Sequence, residues 1–281
     1  MSIKIHAQSI FTPRMPGFDT DGEDGYKRIN AGVARVYDKV LRPDTVVDVE
    51  FVPRSSYYTS HSYLELLNNS EIVRGIIEGV EQGGADVAFV RCGNDPAIRE
   101  ARESVSVPVV GMTEATMHLA CQLGARFAVI GVEEKCIPLV ERNLRNYGLE
   151  NRAISRRPVR IPPGDEFQEI VRQGARWFDE FEFVRASVLP HFEKSAQECI
   201  DDGAEIIVTG CALLGSLTLG DYNKVTGTEV PVLDSLSVGI KTAEMLGELH
   251  RSIGLATSKQ LTYKSLLTPE MRDALASPFF R

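Results

Sequence analysis

Two cysteines occupy the same place in two copies of one pattern. The first copy runs Gly84-Ala85-Asp86-Val87-Ala88-Phe89-Val90-Arg91-Cys92-Gly93; the second runs Gly203-Ala204-Glu205-Ile206-Ile207-Val208-Thr209-Gly210-Cys211-Ala212, with matched residues 119 positions apart. Each is Gly-Ala, an acidic residue, an apolar run, then a thiol where the run stops. A thiol is an acid while it holds its proton and a base once it has lost it. One of each across a small cleft can remove a proton from one face of a carbon and return one to the other, which inverts the centre. An adjacent carbonyl spreads the carbanion, so the reaction needs neither metal nor cofactor. The backbone N–H groups after each cysteine, on Gly93, Asn94, Ala212 and Leu213, are placed to hold the developing oxyanion. A thiol at a strand end, ahead of a helix N-terminus, also meets the positive end of the helix dipole, which is expected to lower its pKa toward thiolate.

The elements that must position these thiols can be read from short apolar runs alternating with helical patterns. Strands are expected over Ile3–Ala7, Val46–Val52, Asp86–Arg91, Pro108–Gly111, Arg126–Gly131, Ala153–Val159, Glu205–Gly210 and Pro231–Asp234. Between Ser70 and Gln82, residues Ile72, Val73, Ile76, Ile77 and Val80 keep helical spacing behind a Ser70 N-cap, and Gly83-Gly84 ends that helix. Continuous apolar strands separated by helices mean parallel sheet covered on both faces. The repeat continues beyond the cysteines. Val107-Pro108-Val109-Val110-Gly111 answers Val230-Pro231-Val232-Leu233-Asp234, each leading into a helix expected to stop at Gly124 or Gly247. The offset there is 123, so the second copy carries four extra residues, placed in the loop Leu214–Gly227.

The fold class is therefore α/β, with two pseudosymmetric lobes, each a four-stranded parallel sheet flanked by helices. The chain should cross between lobes near Thr113–Gly124 and again near Ser235–Gly247. That assigns residues 1–115 plus 236–281 to a discontinuous first lobe and 116–235 to the second. Ligands of open α/β sheets bind at the carboxyl ends of the strands, so Cys92 and Cys211 both belong to the cleft between the lobes.

Composition narrows the class of function. The chain has 281 residues, 43% hydrophobic and 25% charged, enough for a full core. A formal charge of −8 argues against a nucleic-acid or anionic-membrane partner. Five cysteines without a Cys-x-x-Cys pair make neither a disulfide framework nor a zinc site. The start, MSIKIHAQSIFTPRMPGF, lacks the apolar core of a signal peptide, and no window approaches a membrane span. These features point to a reduced, cytoplasmic protein.

The stretch Cys92-Gly93-Asn94-Asp95-Pro96, followed by Ala101-Arg102-Glu103 and Val107-Pro108-Val109-Val110-Gly111-Met112-Thr113-Glu114-Ala115, together with Gly210-Cys211-Ala212, resembles the aspartate/glutamate/hydantoin racemase superfamily. Hydantoin racemase-like members are the most similar, and the likeness spans roughly residues 45–250. It implies two pseudosymmetric lobes, cofactor-independent proton transfer between Cys92 and Cys211, a small-molecule substrate bearing a carbonyl or carboxylate, and a homo-oligomer. The superfamily also contains cis–trans isomerases of unsaturated diacids such as maleate, and decarboxylases of disubstituted malonates that need one thiol; both stay open as alternatives. Members follow the first strand with an Asn-rich loop that holds substrate. Here that place carries Gln8-Ser9-Ile10-Phe11-Thr12-Pro13 and an acidic stretch to Gly25, and the segment 162–192 is longer than a minimal member needs. Gln8 and Ser9 thus become candidate substrate contacts.

Other residues divide between chemistry and structure. Asn94 could bind a substrate carbonyl or cap a turn; Thr113 could do both. Tyr57, with Ser55, Ser56 and Tyr58, could supply hydroxyls or an aromatic wall. Arg91, whose counterpart is Gly210, is expected to pair with a nearby acid. Cys121, Cys136 and Cys199 lie in helical patterns and are expected to act as small hydrophobes, and His118 as a helical histidine. Arg152, Arg156, Arg157 and Arg160 are expected to form a solvated edge. Asp19–Gly25 fails as a calcium loop, because its sixth position is Asp24 and its twelfth Asn30. The apolar residues of Leu261–Arg281 suit a lobe seal or a subunit contact.

Overall fold

The computed structural model describes residues 2–12, 25–53 and 60–264. In chain order it forms β1 (Lys4–Ser9), α1 (Gly25–Val40), β2 (Val46–Phe51), α2 (Ser62–Glu81), β3 (Val87–Arg91), α3 (Ile98–Ser104) and β4 (Val109–Gly111). Next come α4 (Met112–Leu123), β5 (Phe127–Ile130), α5 (Ile137–Asn146), β6 (Val159–Arg160), α6 (Asp165–Arg172), α7 (Gly174–Asp179), α8 (Phe181–Phe183) and α9 (Leu189–Asp201). Then follow β7 (Ile206–Thr209), α10 (Ser216–Leu219), β8 (Val232–Leu233) and α11 (Ser235–Ile253).

The strands make two four-stranded sheets, ordered β2-β1-β3-β4 and β6-β5-β7-β8, with every pairing between them parallel. The same order appears twice, so the repeat written around the cysteines is a repeat of topology. Register lines up the carboxyl ends: Ser9 lies beside Arg91 in the first sheet, and Ile130 beside Thr209 in the second. β3 and β7 are central and buried along their whole length, which is why their sequences run apolar without alternation. β2 is an edge strand that leaves Val46 and Val49 exposed.

Several local expectations change. α2 starts at Ser62, and Ser70 sits inside it, its hydroxyl donating to the Leu67 carbonyl. The first turns of α2 bury Glu65 and Asn68 while Leu66 and Leu67 face solvent, so hydropathy gives no helical stripe there. The helix does end where expected: Gly84, at φ 66°, lets the Gly84 and Ala85 N–H groups return to the carbonyls of Val80 and Gly79. Ala153–Val159 is mostly turn, with one bridge from Ala153 to Phe127 and a strand confined to Val159–Arg160. Arg160 is buried between Glu198 and Asp202 rather than solvated, and Arg152 donates to the carbonyls of Cys121, Gly124 and Ala125 at the end of α4.

α4 stops at Gly124 as expected, but α11 runs through Gly247 to Ile253 and is capped by Gly254 at φ 73°. Gly247 is there for contact, not termination. A β-carbon on it would lie 2.7 Å from Ile3 Cγ2 and 3.1 Å from Val87 Cγ1, so glycine lets α11 press onto β1 and β3. α11 also packs on α4 and β4, returning the chain to the first sheet. The long segment after β6 lies across α1. α7 packs on α1, Arg28 pairs with Asp179 at 2.6 Å, and Arg35 donates to the Phe178 carbonyl at 2.7 Å. Among the described residues, no helix is long and apolar enough to cross a membrane.

The return of the chain depends on the N-terminus of α11. The buried Asp234 carboxylate accepts the N–H groups of Leu236 and Ser237, both at 3.1 Å, and the Thr218 hydroxyl at 3.0 Å. Asp234→Ala is expected to cost about 2 kcal/mol and lower Tm by roughly 4–8 °C in thermal unfolding. An unchanged Tm would show that this cap does not hold the helix.

Candidate active site

The thiol-bearing turns meet backbone to backbone. A β-carbon on Gly93 would overlap the Gly210 carbonyl oxygen and lie 3.3 Å from Cys211 N, so this contact admits glycine alone. The Gly93 turn is held from behind: Thr113 Oγ1 donates to the Gly93 carbonyl at 2.7 Å. Asp95 accepts the N–H groups of Thr113 and Glu114 at 2.9 and 2.7 Å and the Tyr147 hydroxyl at 3.1 Å. Asp95 thus caps α4 from outside it, and burial pushes its carboxyl up to about 7.

Cys92 and Cys211 line one cavity of about 120 Å³ at the carboxyl ends of both sheets. From the first sheet's side come Ser9, Ile10 and Phe11 after β1, Tyr26, Ile29 and Val33 of α1, and Arg91, Gly93 and Asn94. From the second come Val132, Glu133, Cys136, Val171, Gly210, Ala212 and Leu213. Most of this wall is apolar, and the size suits a small organic molecule.

Of the residues singled out in the sequence, Ser9, Cys92, Gly93, Asn94, Cys211, Ala212 and Leu213 line the cavity. Gln8 and Thr113 add no atom to its wall. β1 alternates its faces, so Gln8 points the other way, beneath Gly75 of α2, bonded to His6 and to the Ser9 carbonyl. Tyr57, Ser55, Ser56, Tyr58, the acidic stretch from Asp19 to Asp24 and the segment 265–281 lie outside the described residues. Arg91 is buried with its Nη2 donating to the Tyr26 phenol at 3.4 Å, not to an acid as expected. His118 is an exposed residue of α4, bonded to the Glu114 carbonyl.

Cys136 departs from the expected role of a small core hydrophobe. It stands at the N-terminus of α5 and faces the cavity with the other two thiols, its Sγ 3.9 Å from Glu133 Oε2. Glu133 also accepts the Ser60 hydroxyl at 2.8 Å. A signal for both existed in the chain. β5 holds the place in its sheet that β1 holds in the other, so the residues after Ile130 belong beside the site as those after Ser9 do. Cys199 is a core residue, as expected, and Cys121 packs at the edge of a core cluster.

The ionisation of the thiols is opposite to expectation. Burial pushes Cys92 well above the ordinary thiol value, against the Asn94 N–H that reaches its Sγ at 3.5 Å. Burial likewise pushes Cys211 up to about 11, against the N–H groups of Leu213 and Ala212 and with the Glu133 charge adding to the rise. Cys136 is pushed up to about 12 by burial and Glu133. A helix end contributes about 0.3–1 kcal/mol, less than one pKa unit, whereas burial can move a group by about 3–5 units. Cys92 is also followed by a turn, since α3 begins only at Ile98.

The Asp/Glu/hydantoin racemase family model matches residues 22–243. The chain belongs to that family. It is 30% identical over 234 residues to a hydantoin racemase of Pseudomonas sp. (strain NS671), covering 83% of this chain and 85% of that protein. With the hydantoin racemase of Rhizobium meliloti the identity is 31% over 194 residues, covering 68% and 72%. The fold matches that of the allantoin racemase from Klebsiella pneumoniae, with a TM-score of 0.71, 21% identity and 95% of each chain covered. The protein is thus an isomerase, a racemase of this family, acting on a small molecule.

Gly93→Ala tests the backbone contact. Forcing the two turns apart by about 1 Å should reduce kcat/KM by roughly 10²-fold in a racemisation assay. Activity near that of the unmodified enzyme would mean that the spacing of the turns is not critical.

Proposed function

We propose that the enzyme racemises a carbon acid of the hydantoin type at the carbon beside its ring carbonyl, with Cys92 and Cys211 as acid and base on opposite faces. The observation that carries this reading is the convergence of two matched strand-end thiols on one small, largely apolar cavity. The names of the hydantoin racemases it is similar to support the substrate class. Five free cysteines fit a reducing, cytoplasmic setting, and a homo-oligomer is the assembly proposed. The first lobe is taken as 1–115 plus 236–281 and the second as 116–235, supported by the packing of α11 on β1, β3 and β4.

In each turnover one thiolate takes the proton from the ring carbon and becomes a thiol. The electron pair moves onto the carbonyl oxygen, beside the N–H groups of Gly93, Asn94, Ala212 and Leu213. The opposite thiol then gives its proton to the other face of the carbon and becomes the thiolate. The two cysteines have exchanged protonation states, and proton exchange with water restores the starting form. Cys92→Ala and Cys211→Ala should each abolish the decay of optical rotation of a 5-substituted hydantoin. Full activity in both variants would remove the two-thiol mechanism.

The raised thiol pKa values fix a pH dependence. Below them the reactive form, one thiolate beside one thiol, is the minor species and grows with each rise in pH. kcat/KM should therefore increase about tenfold per pH unit between about pH 6.5 and 9. A profile flat over that range would mean that a thiolate is already present at neutral pH.

A further inference from the structure

Arg91 brings a buried guanidinium to the wall of the cavity, and its contacts run as a chain of hydroxyls. Its Nη2 is 3.4 Å from Tyr26 Oη, and Tyr26 Oη is 2.8 Å from Ser9 Oγ. Ser9 Oγ also accepts the Phe11 N–H at 3.3 Å. Arg91 also stands beside the buried Tyr37 phenol, and Ser9 is 1% exposed.

The donors decide which way the chain runs. A guanidinium can only donate, so the Tyr26 oxygen is an acceptor toward Arg91. The single hydrogen between Tyr26 and Ser9 is then best supplied by Tyr26, because both hydroxyl dipoles align away from the buried charge and each bond polarises the next. Ser9 Oγ now has both lone pairs in use, one for Tyr26 O–H and one for Phe11 N–H. Its own hydrogen is left over, and among the described residues no acceptor meets it. Ser9 lies on the cavity wall, so that hydrogen is free for a bound molecule.

The geometry points to Ser9 as a one-way hydrogen-bond donor to the substrate oxygen that becomes the enolate, with Tyr26 and Arg91 as positioning residues that fix its direction. This rests on the carbon-acid reading above. A serine free to rotate would accept as readily as it donates and would lose stabilisation as charge builds on the oxygen. One held by a cation through a phenol does not, and it gains strength as the oxygen becomes negative. Among the described residues no carboxylate bonds this arginine, and one at its side would cancel the charge that orders the hydroxyls.

A double-mutant cycle on racemisation of 5-benzylhydantoin tests the coupling. Tyr26→Phe keeps the edge-on ring contacts with Phe11 and Phe51, at centroid separations of 6.1 and 5.8 Å, and removes only the hydroxyl. Ser9→Ala should lower kcat roughly 10²-fold with little change in KM. Tyr26→Phe alone should lower kcat in the same direction, yet change it less than about twofold in the Ser9→Ala background. Losses that simply multiply would overturn the proposal, since a structural role for Tyr26 does not depend on the Ser9 hydroxyl. A neutron structure of the deuterated enzyme decides the direction without any substrate. The deuteron between the two hydroxyls should sit on Tyr26, with the Ser9 deuteron in the cavity; a Ser9 deuteron aimed at Tyr26 overturns the proposal. Failure of the unmodified enzyme to turn over any hydantoin would count against the proposed substrate class instead, and the neutron result would still decide the chain.

Discussion

The site depends on one close approach, the Gly93 turn against the Gly210 carbonyl. Each sheet alone delivers one thiol to the end of one strand. Only where the two turns touch without a side chain between them do both sulfurs reach the same cavity. The surrounding structure serves that contact. Thr113 holds the Gly93 carbonyl, Asp95 holds Thr113 and the start of α4, and α11 crosses back to the first sheet closely enough that Gly247 touches Ile3 and Val87. Asp234 starts that crossing at the end of β8.

Burial then sets the chemistry. The cavity withdraws its thiols from water, and nearby N–H groups offset only part of that cost. Burial thus favours the protonated thiols, and Glu133 pushes Cys211 and Cys136 further in that direction. Such a site keeps its thiols from wasteful ionisation and offers N–H donors to a charge that appears only while substrate is being converted. Strong interaction with the transient anion and weak interaction with the resting state is the distribution that accelerates a reaction.

Much of this was legible in the chain because both signals were periodic. Buried central strands write continuous apolar runs, and an internal repeat writes the same run twice, so β3 and β7 and the thiols after them could be paired from sequence. The repeat also predicted two similar four-stranded lobes, and the structure adds that both sheets share one strand order. It failed where a residue serves two masters: Gly247 matched Gly124 in position, yet it is a packing glycine inside a longer helix. Cys136 and Glu133 stayed hidden because they sit just inside a helical pattern, and sequence periodicity does not report which helix ends share a cavity. Arg91 was visible as an anomaly, but its partner Tyr26 is on α1, and only the register of Ser9 beside Arg91 brings the three together. The inverted polarity of early α2, with Glu65 and Asn68 inside and leucines outside, misplaced its start.

The central claim is that two different groups handle the proton on the two faces of one carbon. The most direct measurement is the isotope content of both enantiomers at early conversion of a single-enantiomer hydantoin in heavy water. Two thiols predict that the inverted product carries solvent deuterium from the first turnovers, while the remaining starting enantiomer still carries its original proton. Inverted product that retains the original proton would mean that a single group carries it from one face to the other, and would contradict the account.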